Sequence, residues 1–205
     1  MDYQGYDRDF KLTGKVALIT GGAAGIGKAI ATLYALKGAS LILADINLGV
    51  HDTKDVCQDS TRIEAVIGDI TKAADREKIV QTGIKKFGKI DILVNNAGIA
   101  LLETALEVPE LNWDRTAIIG ITKVLAVEWA KYNIQVNAIS PTVTLTELGK
   151  KAWAGEVGEE FKRKLPAGRF ADPDEIAACA LFLSSNATDM ITGSNLVIDG
   201  GYTIQ

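Results

Sequence analysis

Two cysteines and one histidine are the only thiol and imidazole groups that 205 residues offer. Cys57 and Cys179 lie far apart with no C-x-x-C spacing, and His51 alone leaves too few nitrogen and sulfur ligands for zinc, so no metal is expected. Both cysteines read as small buried apolar side chains. No apolar run approaches the ~18 residues that a membrane helix requires. There is no extended Lys/Arg cluster either, and with a net charge of −4 and a pI near 5.1 the chain has no electrostatic footprint for nucleic acid. The N-terminus, MDYQGYDRDFKLTG, lacks the basic-then-apolar pattern of a signal peptide, which leaves a cytoplasmic protein as the expectation. Repeats, low-complexity tracts and long linkers are absent too, so the reading is one domain over 1–205, with 1–13 as an N-terminal arm.

What is present is a globular composition, 47% hydrophobic and 23% charged, in a regular rhythm. Short apolar, β-branched runs stand at 16–20, 41–45, 63–68, 91–95, 134–139 and 195–199, and these predict six strands. Between them, IGKAIATLYALKG and TKAADREKIVQTGIKKFG repeat apolar residues at helical spacing and stop at Gly38 and Gly88. Two more helices are predicted in TELGKKAWAGEVGEEFKRKL and ADPDEIAACALFLSS, the second started by Asp172 or Asp174 around Pro173. Strands apolar along their whole length, alternating with helices, predict a doubly wound α/β Rossmann fold with a parallel sheet covered on both faces.

The first strand runs into TGGAAGIG at 20–27, a glycine-rich turn that opens a helix. Backbone N–H groups at such a helix start cradle a pyrophosphate, aided by the helix dipole. Gly21, Gly25 and Gly27 give the spacing G-x-x-x-G-x-G, which supplies the same tight turn and close approach as the G-x-G-x-x-G fingerprint. Asp45 closes the second strand, where a carboxylate accepts hydrogen bonds from an adenosine ribose and repels a 2′-phosphate. No arginine follows it, so the expected cofactor is NAD.

TGGAAGIG at 20–27, GDI at 68–70, NNAG at 95–98, SPTVTLT at 140–146 and DGG at 199–201 together resemble the short-chain dehydrogenase/reductase family, over nearly the whole chain. The resemblance implies that Gly21, Gly25, Ile26 and Gly27 contact the cofactor phosphates. Asp69 and Ile70 would hold the adenine, Asn95, Ala97 and Gly98 would line the cofactor, Val143 and Thr146 would hold the nicotinamide carboxamide, and Pro141 would meet the cofactor through its backbone. The family's usual Pro-Gly is Pro141-Thr142 here. The resemblance implies a substrate lid over residues 145–165, in which Trp153 either closes over the substrate or packs in the core, and an assembly that is a homodimer or homotetramer. PTVTLTELGKKAW looks most like sugar and polyol members, including xylulose reductases, and DGGYT like galactitol- and threitol-type dehydrogenases. The implied reaction is hydride transfer between nicotinamide and a secondary alcohol or ketone of a polyol, 1,2-diol or ketose.

That reaction needs a tyrosine to move a proton at the substrate oxygen, a lysine four residues later to lower the tyrosine pKa, and a serine to orient the carbonyl. None is found. The tyrosines are Tyr3, Tyr6, Tyr34, Tyr132 and Tyr202, and none is followed by lysine at the fourth position. Trp113, Asp114 and Arg115 resemble the segment after the family's fourth strand, whereas Ala117 to Tyr132 resembles the helix just after the catalytic tyrosine. Between Thr116 and Ala117 the family's fifth strand and its Ser and Tyr-x-x-x-Lys are skipped, a gap of roughly 40 to 50 residues from ordinary element lengths. Residues missing from this sequence but present in the molecule, a truncated gene, and a functional shortened protein would each produce such a junction. Three functions compete: an NAD-dependent polyol dehydrogenase, a catalytically dead dinucleotide-binding protein, and a 3-oxoacyl-carrier-protein reductase, the last disfavoured by Asp45. Lys123 is expected at the surface, Trp129 and Tyr132 at a helix end or subunit contact.

Overall fold

Five residues, VALIT, are buried throughout and form β1 (Val16–Thr20), the centre of a parallel sheet. The computed structural model describes residues 10–56, 60–98 and 117–205. Cys57, residues 1–9 of the N-terminal arm, and Trp113 to Thr116 lie outside the described residues. From β1 the chain enters α1 (Gly25–Leu36), then β2 (Ser40–Asp45), α2 (Val50–Val56), β3 (Ile63–Ile67), α3 (Ala73–Phe87) and β4 (Ile92–Val94). α1 and α3 stop where read, with Gly38 and Gly88 at φ 93° and 80°. That left-handed geometry carries no Cβ penalty in glycine.

These four strands pair in the order β3-β2-β1-β4, all parallel. After β1 the chain winds one way to β2 and β3, then returns to the other side of β1 for β4. The strand direction reverses its march between β1 and β4, which makes the crevice at their carboxyl ends the expected ligand position. Residues of β1 and β2 bury their side chains against α1 in a cluster with Ile30, Tyr34, Leu41, Leu43, Ala177 and Leu181. Each large aliphatic side chain removed from water there contributes ~1.5–3 kcal/mol.

The second half follows as α4 (Ala117–Trp129), β5 (Ala138–Pro141), α5 (Glu147–Ala152), α6 (Glu156–Arg163), α7 (Pro173–Ser184) and β6 (Asn195–Ile198). α7 packs against α1, and the Tyr34 hydroxyl joins them, donating to the Ala180 carbonyl at 3.0 Å and lying 2.7 Å from Ser184 Oγ. Glu175 reaches back to accept from the Asp172 N–H at 2.9 Å, and Arg169 binds both its oxygens at 2.7 Å, which fixes the start of α7.

Three local readings need correction. The strand expected over 134–139 begins at Ala138, because side chains take the places of ladder bonds before it. The Val136 N–H donates to Thr192 Oγ1, and Asn137 bonds both the Ile191 carbonyl and the Ser194 N–H. The single helix expected over 146–165 is broken into α5 and α6 at Gly155, whose φ of 72° no helix accommodates. The short helix α2 has no sequence-level counterpart.

The larger departure concerns the sheet. β5 pairs with β6 in a separate two-stranded sheet and does not re-pair with β4. Strands sit ~4.8 Å apart, and among the described residues no strand fills the space between β4 and the β5-β6 sheet. Apolar side chains are bared on β4 and α4: Leu93 on β4 is 56% exposed, and Ile121, Val124 and Val127 on α4 are 52%, 56% and 80% exposed. The covering of both faces expected of every strand therefore holds for β1 and β2 and fails at β4.

Candidate dinucleotide-binding site

Parallel strands end on the same edge, so the ends of β1, β2, β3 and β4 collect residues singled out above, and the loop after β5 reaches them from the second sheet. Gly21 and Gly25 take φ values of 70° and 56°, turning the chain from β1 into α1. A Cβ on Gly21 would stand 2.7 Å from Asn96 Nδ2 and 2.9 Å from Ala97 Cα, and one on Gly27 would strike Gly21 and Asn96. These glycines are required by how closely the loop meets the end of β4.

The loop's donors divide into two sets. Gly21 and Gly22 donate to the Ala44 carbonyl at 2.8 and 3.3 Å, and Ala23 donates to Asp45 Oδ2 at 3.0 Å. The next four N–H groups, Ala24 to Gly27, have no acceptor among the described residues, and no side chain caps α1. Consecutive free donors at the positive end of a twelve-residue helix suit a pyrophosphate.

Asp45 is held by its other oxygen as well, with the Asn47 N–H donating to Oδ1 at 2.9 Å. Each carboxylate oxygen keeps a second lone pair, so the oriented group could still accept from two ribose hydroxyls. On the next strand end, Asp69 Oδ1 accepts from the Thr71 N–H at 3.0 Å and hydroxyl at 2.7 Å. The Thr71 hydroxyl, with Lys72 beside it, holds the Asp69 carboxyl below its ordinary range. Ile70 packs against the cluster of Val16, Leu18 and Ile42.

Sequence reasoning missed what Asn96 and Thr20 do. Asn96 Nδ2 donates to the carbonyls of Thr20 and Gly21 at 3.0 and 3.2 Å, while Thr20 Oγ1 accepts from the N–H groups of Asn96 and Ala97, both at 3.1 Å. Four hydrogen bonds thus clamp the glycine loop to the end of β4 across the switch point. The NNAG motif was the available signal, and only contact geometry separates exposed Asn95 from structural Asn96. Among the described residues, the nearest atom to a Cβ on Gly98 would be the Asn96 carbonyl oxygen at 4.0 Å.

From the opposite side, Pro141 ends β5 and the loop after it reaches the glycine turn, placing Thr146 Cγ2 3.1 Å from where a Gly25 Cβ would be. Val143 accepts from the Ala171 N–H at 3.1 Å, and the buried Thr144 hydroxyl between Val143 and Thr146 finds no partner among the described residues. A buried orphan of this kind fits a site completed by a polar ligand. The glycine turn, Asp45, Ala97 and Thr146 are brought together, and their chemistry fits a dinucleotide.

Groups for proton transfer are another matter. Tyr34 is fully buried against α7, and burial pushes its phenol up to about 12. Tyr132 is 65% exposed at the end of α4, with the Lys131 ammonium over its ring at 5.0 Å. The Ser140 hydroxyl donates to Asn195 Oδ1 at 2.7 Å inside the small sheet. Lys123 is exposed. Among the described residues no cluster of His, Cys, Asp or Glu could hold a metal, and no helix is long and apolar enough to cross a membrane.

Comparison with known proteins locates the break. A family model described as short chain dehydrogenase matches residues 15–117, and one described as enoyl-(acyl carrier protein) reductase matches 115–203, so the two meet at the Thr116–Ala117 junction. The chain is 47% identical to an NAD-dependent glycerol dehydrogenase of Listeria innocua, end to end in both proteins. That alignment spans 257 positions against 205 residues, a difference of 52. A D-threitol dehydrogenase of Mycolicibacterium smegmatis is 39% identical, over 97% of this chain and 96% of that protein. Among solved structures, a 3-ketoacyl-(acyl-carrier-protein) reductase of Brucella melitensis complexed with NADH matches with a TM-score of 0.82 and 30% identity, over 94% of this chain and all of that one. A short-chain type dehydrogenase/reductase of Mycobacterium marinum gives 0.84 at 27% identity, over 96% and 98%. With its Rossmann strand order and glycine turn, this chain belongs to the short-chain dehydrogenase/reductase family of oxidoreductases.

Proposed function

We propose that the protein serves NAD-dependent oxidation of a small polyol or 1,2-diol, or reduction of the corresponding ketose. The observation that carries this reading is Asp45, a carboxylate oriented by two N–H groups at the end of β2 beside the open donors of Ala24 to Gly27. Its negative charge favours a free ribose and repels a 2′-phosphate, which also weighs against the acyl-carrier-protein reductase alternative. The polyol class is supported by the names of the relatives at 47% and 39% identity.

Ala24 to Gly27 would hold the pyrophosphate, Asp45 the ribose, Asp69 and Ile70 the adenine, and Asn95, Ala97, Gly98, Pro141, Val143 and Thr146 the remainder of the cofactor. NAD when bound supplies the hydride acceptor. By the family resemblance, proton movement at the substrate oxygen would belong to the Ser and Tyr-x-x-x-Lys expected between Thr116 and Ala117. A chain in which Thr116 is bonded to Ala117 has the cofactor half alone, and its reading is a dinucleotide-binding protein without turnover.

The test is an intact mass of the protein from its native host, followed by assay with glycerol and threitol. At 21.9 kDa for 205 residues, 52 further positions add about 5.6 kDa. A mass near 27 kDa with NAD-dependent oxidation of either polyol supports the dehydrogenase. A mass of 21.9 kDa with no turnover leaves the binding protein. Oxidation of neither polyol at the larger mass refutes the substrate class.

A further inference from the structure

Residues 145–165 leave the edge of the site and come back to it, and the excursion is tied at its base. The Leu145 N–H donates to the Ala171 carbonyl at 2.8 Å, and the Ala171 N–H donates to the Val143 carbonyl at 3.1 Å. Inside it, the Trp153 ring lies 4.8 Å from Phe161 and 5.9 Å from Phe170. At its start, the Thr146 hydroxyl caps α5 by accepting from the Gly149 N–H at 3.0 Å, while its methyl faces Gly25 of the phosphate turn.

The far end is held by the C-terminal residues. The Tyr202 ring packs 5.2 Å from Phe161. Asp199 sets that ring in place, its carboxylate accepting from the Gly201 N–H, the Thr203 N–H and the Thr203 hydroxyl at 2.9, 2.9 and 2.6 Å. Two more bonds join the segments: Ala167 N–H to the Gly200 carbonyl at 2.9 Å, and Gln205 Nε2 to the Lys164 carbonyl at 2.7 Å. Gly201 lies so near Pro166 that a Cβ would meet it at 3.0 Å. The tail therefore grips the segment that leaves α6, while the other end of the same excursion touches the cofactor loop.

We propose that Tyr202, hooked by Asp199, is a positioning residue that sets the pose of α5 and α6 over the nicotinamide end of the site, so that the last residues of the chain govern how that lid responds to the cofactor. This rests on the reading of 145–165 as a lid. Neither residue contacts the dinucleotide loop, so the coupling runs through Phe161, Trp153 and the helix pair to Thr146.

The experiment is amide hydrogen exchange on the full chain, wild type, Tyr202→Ala and Tyr202→Phe, each with and without saturating NAD. Loss of the ring contact is expected to speed exchange across 153–164 about two- to tenfold in Tyr202→Ala. Tyr202→Phe, which keeps the ring, should restore wild-type exchange, and unchanged protection of 16–45 in all three reports an intact fold. NAD should slow exchange over 145–165 in the wild type and lose most of that effect in Tyr202→Ala. Wild-type exchange over 153–164 in Tyr202→Ala overturns the hook. Protection by NAD of 20–28 but not of 145–165 in the wild type overturns the lid reading and the proposal with it, leaving the cofactor reading standing. Absence of protection at 20–28 overturns the cofactor reading itself.

Discussion

Replacing Asn96 by alanine tests whether the site depends on the clamp between the glycine turn and β4. The side-chain amide donates to two carbonyls, at 3.0 and 3.2 Å, and sits where a Cβ on Gly21 or Gly27 would intrude. Each hydrogen bond contributes ~0.5–1.5 kcal/mol net, so removing both costs about 1–3 kcal/mol. Thr20 still receives the N–H groups of residues 96 and 97, so the end of β4 keeps its place and the loss falls on the turn. If the turn must be ordered to present its four free donors, the same 1–3 kcal/mol appears as a weakening of NAD binding by about five- to 150-fold. Titration calorimetry with NAD reads this directly, beside a urea denaturation curve that reads the stability. An Asn96→Ala protein that binds NAD like the wild type would refute the clamp as the device that organises the phosphate site.

Tyr34→Phe should cost about 1 kcal/mol at neutral pH from the lost bond to Ala180. It also removes a pH dependence. The folded pKa of about 12 lies above the ordinary ~10, so the tyrosine's contribution is full below pH 10 and is lost between pH 10 and 12, about 2–3 kcal/mol in all. Urea midpoints of the two proteins should converge and then cross within that window, the wild type becoming the less stable by pH 12, and parallel curves would contradict the burial. Asp45→Ser should raise NADP affinity relative to NAD about tenfold or more, the Coulomb repulsion of one carboxylate at a few ångströms. An unchanged NADP to NAD ratio would remove Asp45 as the selector. At the open seam, Ile121→Lys with Val127→Lys should lower binding of an apolar fluorescent dye and leave NAD affinity unchanged, since both side chains are more than half exposed. A dye signal that does not fall would mean that this face is covered in solution.

Much of the first half was legible because its strands are short, β-branched and buried on both faces, a pattern that sequence periodicity reports directly. VALIT and the glycine turn after it became β1 and the start of α1 without adjustment of more than a residue. The second half was less so. Ala138 begins β5 because Asn137 spends its side chain on two backbone groups of the facing segment, a long-range contact over more than fifty residues. Gly155 divides residues 146–165 into two helices through a positive φ that helical periodicity does not register. The roles of Asn95 and Asn96, adjacent and chemically identical, separate only through burial and partners. The absent Tyr-x-x-x-Lys was visible in the chain, and among the described residues it coincides with β4 and β5 standing in separate sheets and with the exposed side chains of Leu93 and Val127.

The measurement that bears most directly on the account is a calorimetric titration of the purified 205-residue chain with NAD and, separately, NADP. The geometry of the glycine turn and Asp45 predicts saturable one-to-one binding of NAD, with NADP at least tenfold weaker. Absence of saturable NAD binding, or a preference for NADP, would contradict it.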